Sequence, residues 1–413
     1  MFDRLFPVVL TLAVGLLALA ARAETAPPTG PALPAAEAER VEARFLAALQ
    51  AIDAGAYQDA IDLLDAILED HPDLLRVRLE LARALFLKGD EDIRAQFQFE
   101  RVLGGDLPEA VRLNIGRFLS AIRARRSWTL TAGLALVPDS NINSGPSSRE
   151  VTIGGLPFQL SDQATEQSGL GLQFSLGGSY RLPLAERWRL QMGGLLFRKA
   201  YDQSRFNDSI AQWSIGPRHL FERGELGLAF VGYHRLYGDD PYALAAGLRL
   251  DGNYLLTDRL RLEAGLQYRD IDYHKADDLD GGALDLDLTL RHALTPTLLV
   301  YGTGIYSRTD ARRDSQDNEA RGLALGAYAD FGAGISLGLS ARFTVTEYEG
   351  LQPLFGRQRR DTEWQESVVL LHRGVKILGA TPNLRYTRVD HDSTIGAYAY
   401  PRNLFEIGLT REF

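Results

Sequence analysis

The sequence predicts two regions of different fold class: an all-α N-terminal region, then an all-β transmembrane barrel of about 14 antiparallel strands. Three observations predict this. The N-terminus is apolar, apolar residues recur at helical spacing over residues 36–126, and apolar and polar residues alternate over residues 127–413. A helix turns every third or fourth side chain to one face, whereas a strand turns every second one. We therefore divide the chain after residue 126.

The first 23 residues have the pattern of a signal peptide. Arg4 lies in a short polar start, residues 6–20 are mostly apolar, and residues 21–23 read Ala-Arg-Ala, which fits the small-residue cleavage site of signal peptidase. We predict that the mature chain begins near Glu24 with a Pro/Ala-rich linker over residues 24–35. An uncleaved membrane anchor is the alternative, which the short apolar run disfavours.

Composition excludes several classes of protein. The 413 residues include no cysteine, which excludes a disulfide-stapled fold, thiolate metal sites, a cysteine nucleophile and a lipid-modified N-terminal cysteine. The net charge is −9, and because phosphate neutralisation needs a basic surface, we expect no nucleic acid among the partners. No segment after the signal peptide has the ~18 consecutive apolar residues of a transmembrane helix, so a mature chain that spans a membrane must do so as a closed barrel.

Residues 36–126 repeat at the interval of tetratricopeptide units. Ala48 and Gly55 recur 34 residues later as Ala82 and Gly89, which is the tetratricopeptide period. Each such unit is a helix pair whose apolar face is covered by its neighbour. We predict two tetratricopeptide-like units and a further helix over residues 108–126, with a plain helical bundle as the alternative.

From residue 127 onward the period of the pattern is two. Over residues 170–182 large apolar side chains alternate with Gly, Gln, Ser and Arg, and residues 260–269, 284–291 and 335–346 alternate likewise. Such runs of about ten residues cross a bilayer as tilted strands, and short turns alternating with long loops are typical of outer-membrane barrels. Six short joins are predicted at residues 183–187, 222–225, 257–259, 295–297, 331–334 and 374–382, and seven longer ones at residues 139–168, 201–208, 238–241, 272–281, 309–320, 347–362 and 389–402.

The inward positions of these strands carry charges of both signs, for example Arg249 with Asp251 and Arg261 with Glu263. We expect a solvated or mutually paired wall. Fourteen strands enclose more space than side chains fill, so the interior must hold water, a plug or a molecule in transit. Phe413 ends the last alternating strand in the manner of barrels that are handed to the outer-membrane insertion machinery.

Motifs for catalysis or metal binding are weak. Residues 334–338 match G-x-S-x-G, but they begin a predicted strand, whereas a nucleophile elbow needs a strand–turn–helix context. Asp139, Asn141 and Asn143 could bind Ca²⁺ through oxygen atoms, as could the aspartates of residues 277–280, but Asx turns in solvated loops explain both more simply. We predict no enzyme, no cofactor and no metal.

Residues 78–86, 95–100, 107–115 and 139–143 lie around the junction of the two regions. In these residues the chain resembles the surface lipoprotein assembly modulator (Slam) family. The resemblance implies an outer-membrane translocon that delivers a client protein, lipid-anchored or soluble, from the periplasm to the cell surface, with the helical region in the periplasm. The residues expected to form the junction and dock the client are Arg78, Glu80, Phe86, Phe97, Phe99, Asn114, Asp139, Asn141 and Asn143.

Two other functions remain open. One is a passive channel for small solutes with the helices as a periplasmic lid, and the other is a polysaccharide exporter, since such systems also place tetratricopeptide repeats before a barrel. In each case the partners include the outer-membrane bilayer and the barrel-insertion machinery, and for the translocon a secreted or lipid-anchored client. We expect a monomer.

Overall fold

A computed structural model describes residues 33–153 and 155–412. The predicted signal peptide, most of the predicted linker and Phe413 lie outside the described residues. Among those described, no helix is both long and apolar enough to cross a membrane.

The N-terminal region is helical and contains its own apolar core. Two antiparallel helix pairs are followed by a fifth helix, as predicted, and the side chains of Leu64, Leu85 and Phe99 are completely buried between them. Gly89 ends the third helix with φ at 90°, a left-handed conformation that costs glycine little and closes a helix C-terminus. The helices are α1 (Ala35–Asp53), α2 (Tyr57–Asp70), α3 (Leu75–Lys88), α4 (Asp92–Val102) and α5 (Glu109–Arg125).

The rest of the chain is a closed antiparallel barrel of 14 strands, as predicted. Consecutive barrel strands are neighbours throughout, and the first barrel strand pairs with both the second and the last to close the barrel. The barrel strands are β1 (Trp128–Asp139), β4 (Gly169–Pro183), β5 (Trp188–Tyr201), β6 (Asp208–Leu220), β7 (Gly224–Tyr237), β8 (Asp240–Leu255), β9 (Leu260–Tyr273), β10 (Gly281–Ala293), β11 (Leu298–Ala311), β12 (Asn318–Asp330), β13 (Ile335–Gln352), β14 (Arg357–His372), β15 (Thr381–Ser393) and β16 (Tyr400–Glu412). A separate hairpin of β2 (Glu150–Ile153) and β3 (Leu156–Gln159) lies in the first loop.

The strands are longer than the predicted ten residues, so several predicted loops are shorter in the structure than expected. Barrel strands range from 12 to 18 residues. Residues 238–241 contain a tight turn of Gly238 and Asp239, both at positive φ, which is the geometry of a two-residue hairpin turn. Of residues 347–362, only residues 353–356 lie outside the strands. The strand ends extend beyond the bilayer and keep their backbone pairing in water. Because these ends are polar, their sequence resembles that of a loop.

The outer face of the barrel is apolar. Leu172, Leu196 and Leu323 are each about half exposed, and each belongs to the set of side chains that alternates with the inward set. An outward apolar face on a closed antiparallel barrel is the arrangement that a lipid bilayer requires.

The helical core yields a stability prediction. Leu85→Ala should lower the free energy of unfolding of the helical domain by about 2–5 kcal/mol, because the change leaves a cavity in a fully buried site. Leu113→Ala is the matched control: its side chain is 60% exposed, and we expect a change within about 0.5 kcal/mol. The measurement is the helical circular dichroism of the full-length protein during a urea titration in detergent. Equal effects of the two variants would contradict the core assignment.

Candidate functional site

The helical domain covers the end of the barrel at which the six short turns lie. At every one of these turns a residue of the turn or of the adjoining strand hydrogen-bonds the helical domain. We call the docked helices the helical cap and the opposite end of the barrel the outer end. The contacts, in turn order, are Arg189 to the carbonyl of Ala124 (3.1 Å), Arg123 to that of Glu222 (2.6 Å), Arg259 to that of Gly105 (2.7 Å), Arg101 to that of Pro296 (2.7 Å), the backbone N–H of Gly334 to the carbonyl of Glu69 (2.8 Å) and Arg373 to that of Leu68 (3.2 Å).

One buried carboxylate joins the cap to the barrel. Asp330, at the end of β12, pairs with Arg101 of α4 at 2.9 Å and with Arg78 of α3 at 3.3 Å. Arg373, from the turn between β14 and β15, approaches the other carboxylate oxygen at 3.3 Å, and the Ser336 hydroxyl donates to that oxygen at 2.8 Å. Arg101 is fully buried and Asp330 is 6% exposed. We call Arg78, Arg101, Asp330 and Arg373 the Asp330 cluster.

The Asp330 cluster holds more positive than negative charge. Burial and, next, the neighbouring Arg101 lower the pKa of Arg78 to about 10, and burial also lowers the pKa of Arg101. Because arginine keeps its proton in proteins, other groups must stabilise both guanidinium groups. Arg78 donates to Gln98 at 2.8 Å and to the carbonyl of Pro72 at 2.7 Å. A buried charge network of this kind is stable only while its geometry is intact.

The guanidinium group of Arg101 is also held by aromatic rings. It lies 5.6 Å from the ring centroids of both Phe97 and Tyr328, and those two rings meet edge to face at 6.3 Å. A second ion pair joins Glu100 of α4 to Arg261 of β9. Polar, ionic and aromatic contacts therefore fix the cap on the barrel.

The six predicted site residues in the helices fall into three groups. Arg78 and Phe97 lie at the cap–barrel interface, as described above. Phe86 and Phe99 build the helical core, each with its ring centroid 5.0 Å from that of Phe118. Glu80 and Asn114 are on the side of the cap away from these contacts, where Glu80 pairs with Arg83 at 3.2 Å and Asn114 is exposed.

The other three predicted site residues do not lie at the junction. Strand β1 carries Asp139 across the barrel to the outer end. There the Asp139 carboxylate accepts hydrogen bonds from Arg402 of β16 at 2.6 Å and from the Tyr201 hydroxyl at 2.7 Å. We call these three side chains the outer staple. The backbone N–H of Asn141 also donates to Asp139 at 3.0 Å, which is the Asx interaction that the sequence suggested.

The first loop, residues 140–168, packs onto this staple. Asn141 is fully buried and donates to the carbonyls of Gly145 at 2.8 Å and Pro401 at 3.1 Å. Asn143 donates to the carbonyl of Thr165 at 2.7 Å, which ties the start of the loop to its end. Asn141 and Asn143 therefore build the outer end of the barrel and do not contact the cap.

The interior wall of the barrel is polar and its charges are paired. Arg218 pairs with Asp251 at 2.6 Å and Arg269 with Asp285 at 2.6 Å, which agrees with the expected paired wall. The interior includes cavities of about 460 Å³ and 370 Å³ against opposite walls. The larger lies against β4–β9 and the smaller against β14–β16, where Arg385 and Glu406 face the lumen.

Sequence reasoning missed Arg101, Asp330 and Arg373 at the cap and Tyr201 and Arg402 at the outer end. One signal was available: Arg101 lies on the apolar stripe of α4, between Gln98 and Val102, where a charge needs a buried partner. The pairings themselves join residues as much as 263 positions apart, and spacing along the chain cannot indicate them. Among the described residues, no group of three or more His, Asp or Glu side chains could hold a metal ion.

A closed barrel with an apolar outer face, capped at its short turns by helical repeats, defines an outer-membrane protein with a periplasmic domain. Comparison with known proteins gives the family. The model of the surface lipoprotein assembly modifier family matches residues 128–413, and a tetratricopeptide repeat model matches residues 51–92. The chain belongs to the surface lipoprotein assembly modifier family, which confirms the resemblance. It lies in the cell outer membrane with its helical domain in the periplasm.

Curated relatives cover most of the chain. The surface lipoprotein assembly modifier of Moraxella catarrhalis is 25% identical, over 87% of this chain and 70% of the relative. Surface lipoprotein assembly modifier 1 of Neisseria meningitidis serogroup B is 25% identical, over 92% and 77%. The hemophilin secretion modulator of Acinetobacter baumannii is 22% identical, over 84% and 74%. Among solved structures, the Pseudomonas putida toluene transporter TodX is 11% identical with a TM-score of 0.37, over 72% of this chain and 92% of that one.

Removing the shared carboxylate should release the cap. Asp330→Asn leaves Arg78 and Arg101 buried without an anionic partner, and breaking a buried ion pair in this way costs about 3–5 kcal/mol. We expect faster trypsin cleavage of the helices in the full-length, heat-modifiable protein. The control is Arg112→Gln, which removes a half-exposed pair with Asp258 at 3.9 Å and should cost about 0–1 kcal/mol. Unchanged protection in Asp330→Asn would show that the cluster does not hold the cap.

The outer staple yields a parallel prediction. Asp139→Asn removes a carboxylate that is completely buried against Arg402, and we expect a loss of about 3–5 kcal/mol and a lower temperature for the heat-induced gel shift of the barrel. Asp310→Asn is the control, because Asp310 pairs with Arg308 in solvent, where such a pair contributes little, and its loss should leave the gel-shift temperature unchanged. A staple variant as heat-resistant as the control would contradict the assigned role.

Proposed function

We propose that this chain is an outer-membrane translocon that delivers a client protein, lipid-anchored or soluble, from the periplasm to the cell surface. The observation that carries the proposal is the position of the cap. A repeat domain is docked at all six short turns of the barrel, so a molecule approaching the lumen from the periplasm meets the helices first. Helical repeats are protein-binding surfaces in general.

The names of the relatives support both kinds of client. Two are named for the assembly of surface lipoproteins and one for the secretion of hemophilin. We therefore propose that the transported molecule is a protein. Whether that protein carries a lipid anchor is a question for experiment. In this proposal the chain acts as a monomer that the barrel-insertion machinery places in the membrane, with residues 36–126 receiving the client and residues 127–413 carrying it across.

The client is proposed to dock on the side of the cap that faces away from the barrel. Leu113 and Asn114 of α5 are exposed there, and Arg117 lies on the same helical face one turn further on. On α3, Glu80 and Arg83 occupy equivalent positions 34 residues earlier. Of the residues predicted to dock the client, Glu80 and Asn114 take this role in the proposal, whereas Arg78 and Phe97 hold the cap on the barrel.

A capped and internally paired barrel favours a gated path over a permanently open one. Barrels of 16–18 strands leave an open aqueous channel, and 14 strands are enough for a lumen. Here the periplasmic mouth is covered and the wall charges are mutually neutralised, so passage requires the cap to move. This favours the translocon over the passive channel.

The function can be tested before the client is identified. Deleting the gene in the native bacterium should remove one or a few proteins from the surface-biotinylated fraction while leaving them in the cells. The full-length chain should restore them. A chain lacking residues 36–126 should not, even when gel mobility shows a folded, heat-modifiable barrel. Restoration by that barrel alone would contradict a role for the cap.

The other functions predict different results in the same strains. Loss of a surface polysaccharide with an unchanged surface proteome would establish the exporter instead. In planar bilayers, we expect the full-length chain to be closed or flickering and Asp330→Asn, which keeps every other residue, to conduct more. A steady open pore in the full-length chain would favour the passive channel for small solutes.

A further inference from the structure

The seam between β1 and β16 differs from every other strand pair of the barrel in its connections. In the described chain, no turn or loop joins these two strands to each other. Each of the other neighbouring pairs is tied at one end by the segment that links consecutive barrel strands. Separating β1 from β16 therefore stretches no covalent connection, whereas separating any other pair does.

The ladder across this seam is short and interrupted. Residues 131–136 of β1 pair with residues 407–412 of β16, and Asp139 pairs with Leu404, but among the described residues Val137 and Pro138 pair with β4 alone. Pro138 has no N–H to donate to β16. Pro217 interrupts the pairing of β6 with β7 in a similar way, but those strands are joined by a three-residue turn, residues 221–223.

In the middle of the seam, side chains add little on the lumen side. The inward residues there include Gly133, Ala135 and Gly408, which have almost no side chain to pack across the strands. On the lipid side, Leu134 and Ile407 are 49% and 58% exposed and present an apolar surface to the bilayer.

The outer end of the seam is held by the outer staple. Arg402 of β16 donates two hydrogen bonds to Asp139 of β1, at 3.0 and 2.6 Å, immediately beyond the Pro138 gap. Ser140 and Asn403 add a backbone hydrogen bond at 3.0 Å. The strongest side-chain contact across the seam is thus a polar one that faces the lumen, within reach of a polypeptide inside the barrel.

We propose that β1 and β16 separate to let the acyl chains of a lipid-anchored client pass from the lumen into the bilayer while its polypeptide crosses through the lumen. This inference rests on the translocon function proposed above and names one class of client, an acylated protein. Every methylene of an acyl chain that is held in water is unfavourable in free energy. A side opening gives them a continuous apolar route, which the polar lumen does not.

The absence of cysteine allows a direct test with paired cysteines. Leu134→Cys with Leu409→Cys locks the seam, because the two residues are ladder partners. Leu134→Cys with Phe174→Cys is the matched control, since Phe174 is the partner of the same residue on β4. Paired Cα atoms in antiparallel strands lie about 4.5–5.5 Å apart, within the range of a disulfide. Both variants place the sulfur atoms on the lipid face of β1.

The readout uses the native bacterium with the chromosomal gene deleted and each variant supplied in its place. The probe is the set of acylated proteins that the deletion removes from the surface-biotinylated fraction. In the seam variant, we expect oxidation with copper–phenanthroline to reduce the amount of newly made acylated protein at the surface to that of the deletion strain. In the control variant, the same oxidation should leave this amount equal to that of the strain with the unsubstituted full-length chain. Reduction with dithiothreitol should restore the seam variant, which would rule out a folding defect.

Each other result overturns the inference. Normal surface appearance with a fully oxidised seam would show that the strands do not separate, while the translocon function would stand. Loss in both variants would show that any rigid ladder near β1 blocks transport. If the deletion removes only proteins without acyl chains, the seam has no acyl cargo. If the deletion removes no protein, the translocon function itself is wrong.

Discussion

The carboxylate of Asp330 is the contact on which the arrangement of the two domains depends. It is shared by guanidinium groups from α3, α4 and the turn before β15, so it is bonded to the cap and the barrel at once. Because charge buried without a partner is costly, an intermediate position of the cap would leave several groups unpaired together. We therefore expect docking of the cap to be close to all-or-none.

The barrel side and the cap side of this interface would keep different numbers of bonding partners if the cap separated. Asp330 would retain Arg373 and Ser336, both from the barrel. Arg101 would lose both Asp330 and the carbonyl of Pro296, which are its hydrogen-bonded partners across the interface. Water would then solvate that guanidinium group and offset part of the loss. An ionic interface of this kind would let the cap separate reversibly, as the proposed gated path requires, whereas a large apolar interface would have to be exposed to water in full.

The period of apolar residues predicted the helix pairs, the 14 strands and the side on which the short turns lie, because burial against a neighbouring helix or against lipid dictates those patterns. It did not predict the strand ends at residues 238–241 and 347–362, where strand and loop are equally polar. The family resemblance, not the period, assigned Arg78, Phe97 and Asp139 together to the junction. Arg78 and Phe97 contact the barrel there, whereas Asp139 lies at the far end of β1. A strand of 12 residues spans about 3.3 Å per residue, so β1 separates Asp139 from the cap by the thickness of the membrane.

The same strand connects both ends of the proposed path. β1 follows the cap directly, through α5 and residues 126–127, and at its far end carries the Asp139 side of the outer staple. A client with acyl chains must join a polar route for its polypeptide to an apolar route for its lipid, and each methylene in water costs about 0.8 kcal/mol. Movement of the cap acts on the start of β1, whose first three residues have no partner on the described part of β16. Displacing the cap toward an incoming client would therefore pull on β1, the strand that closes the barrel. In the proposed mechanism, this pull couples opening of the periplasmic mouth to separation of β1 from β16.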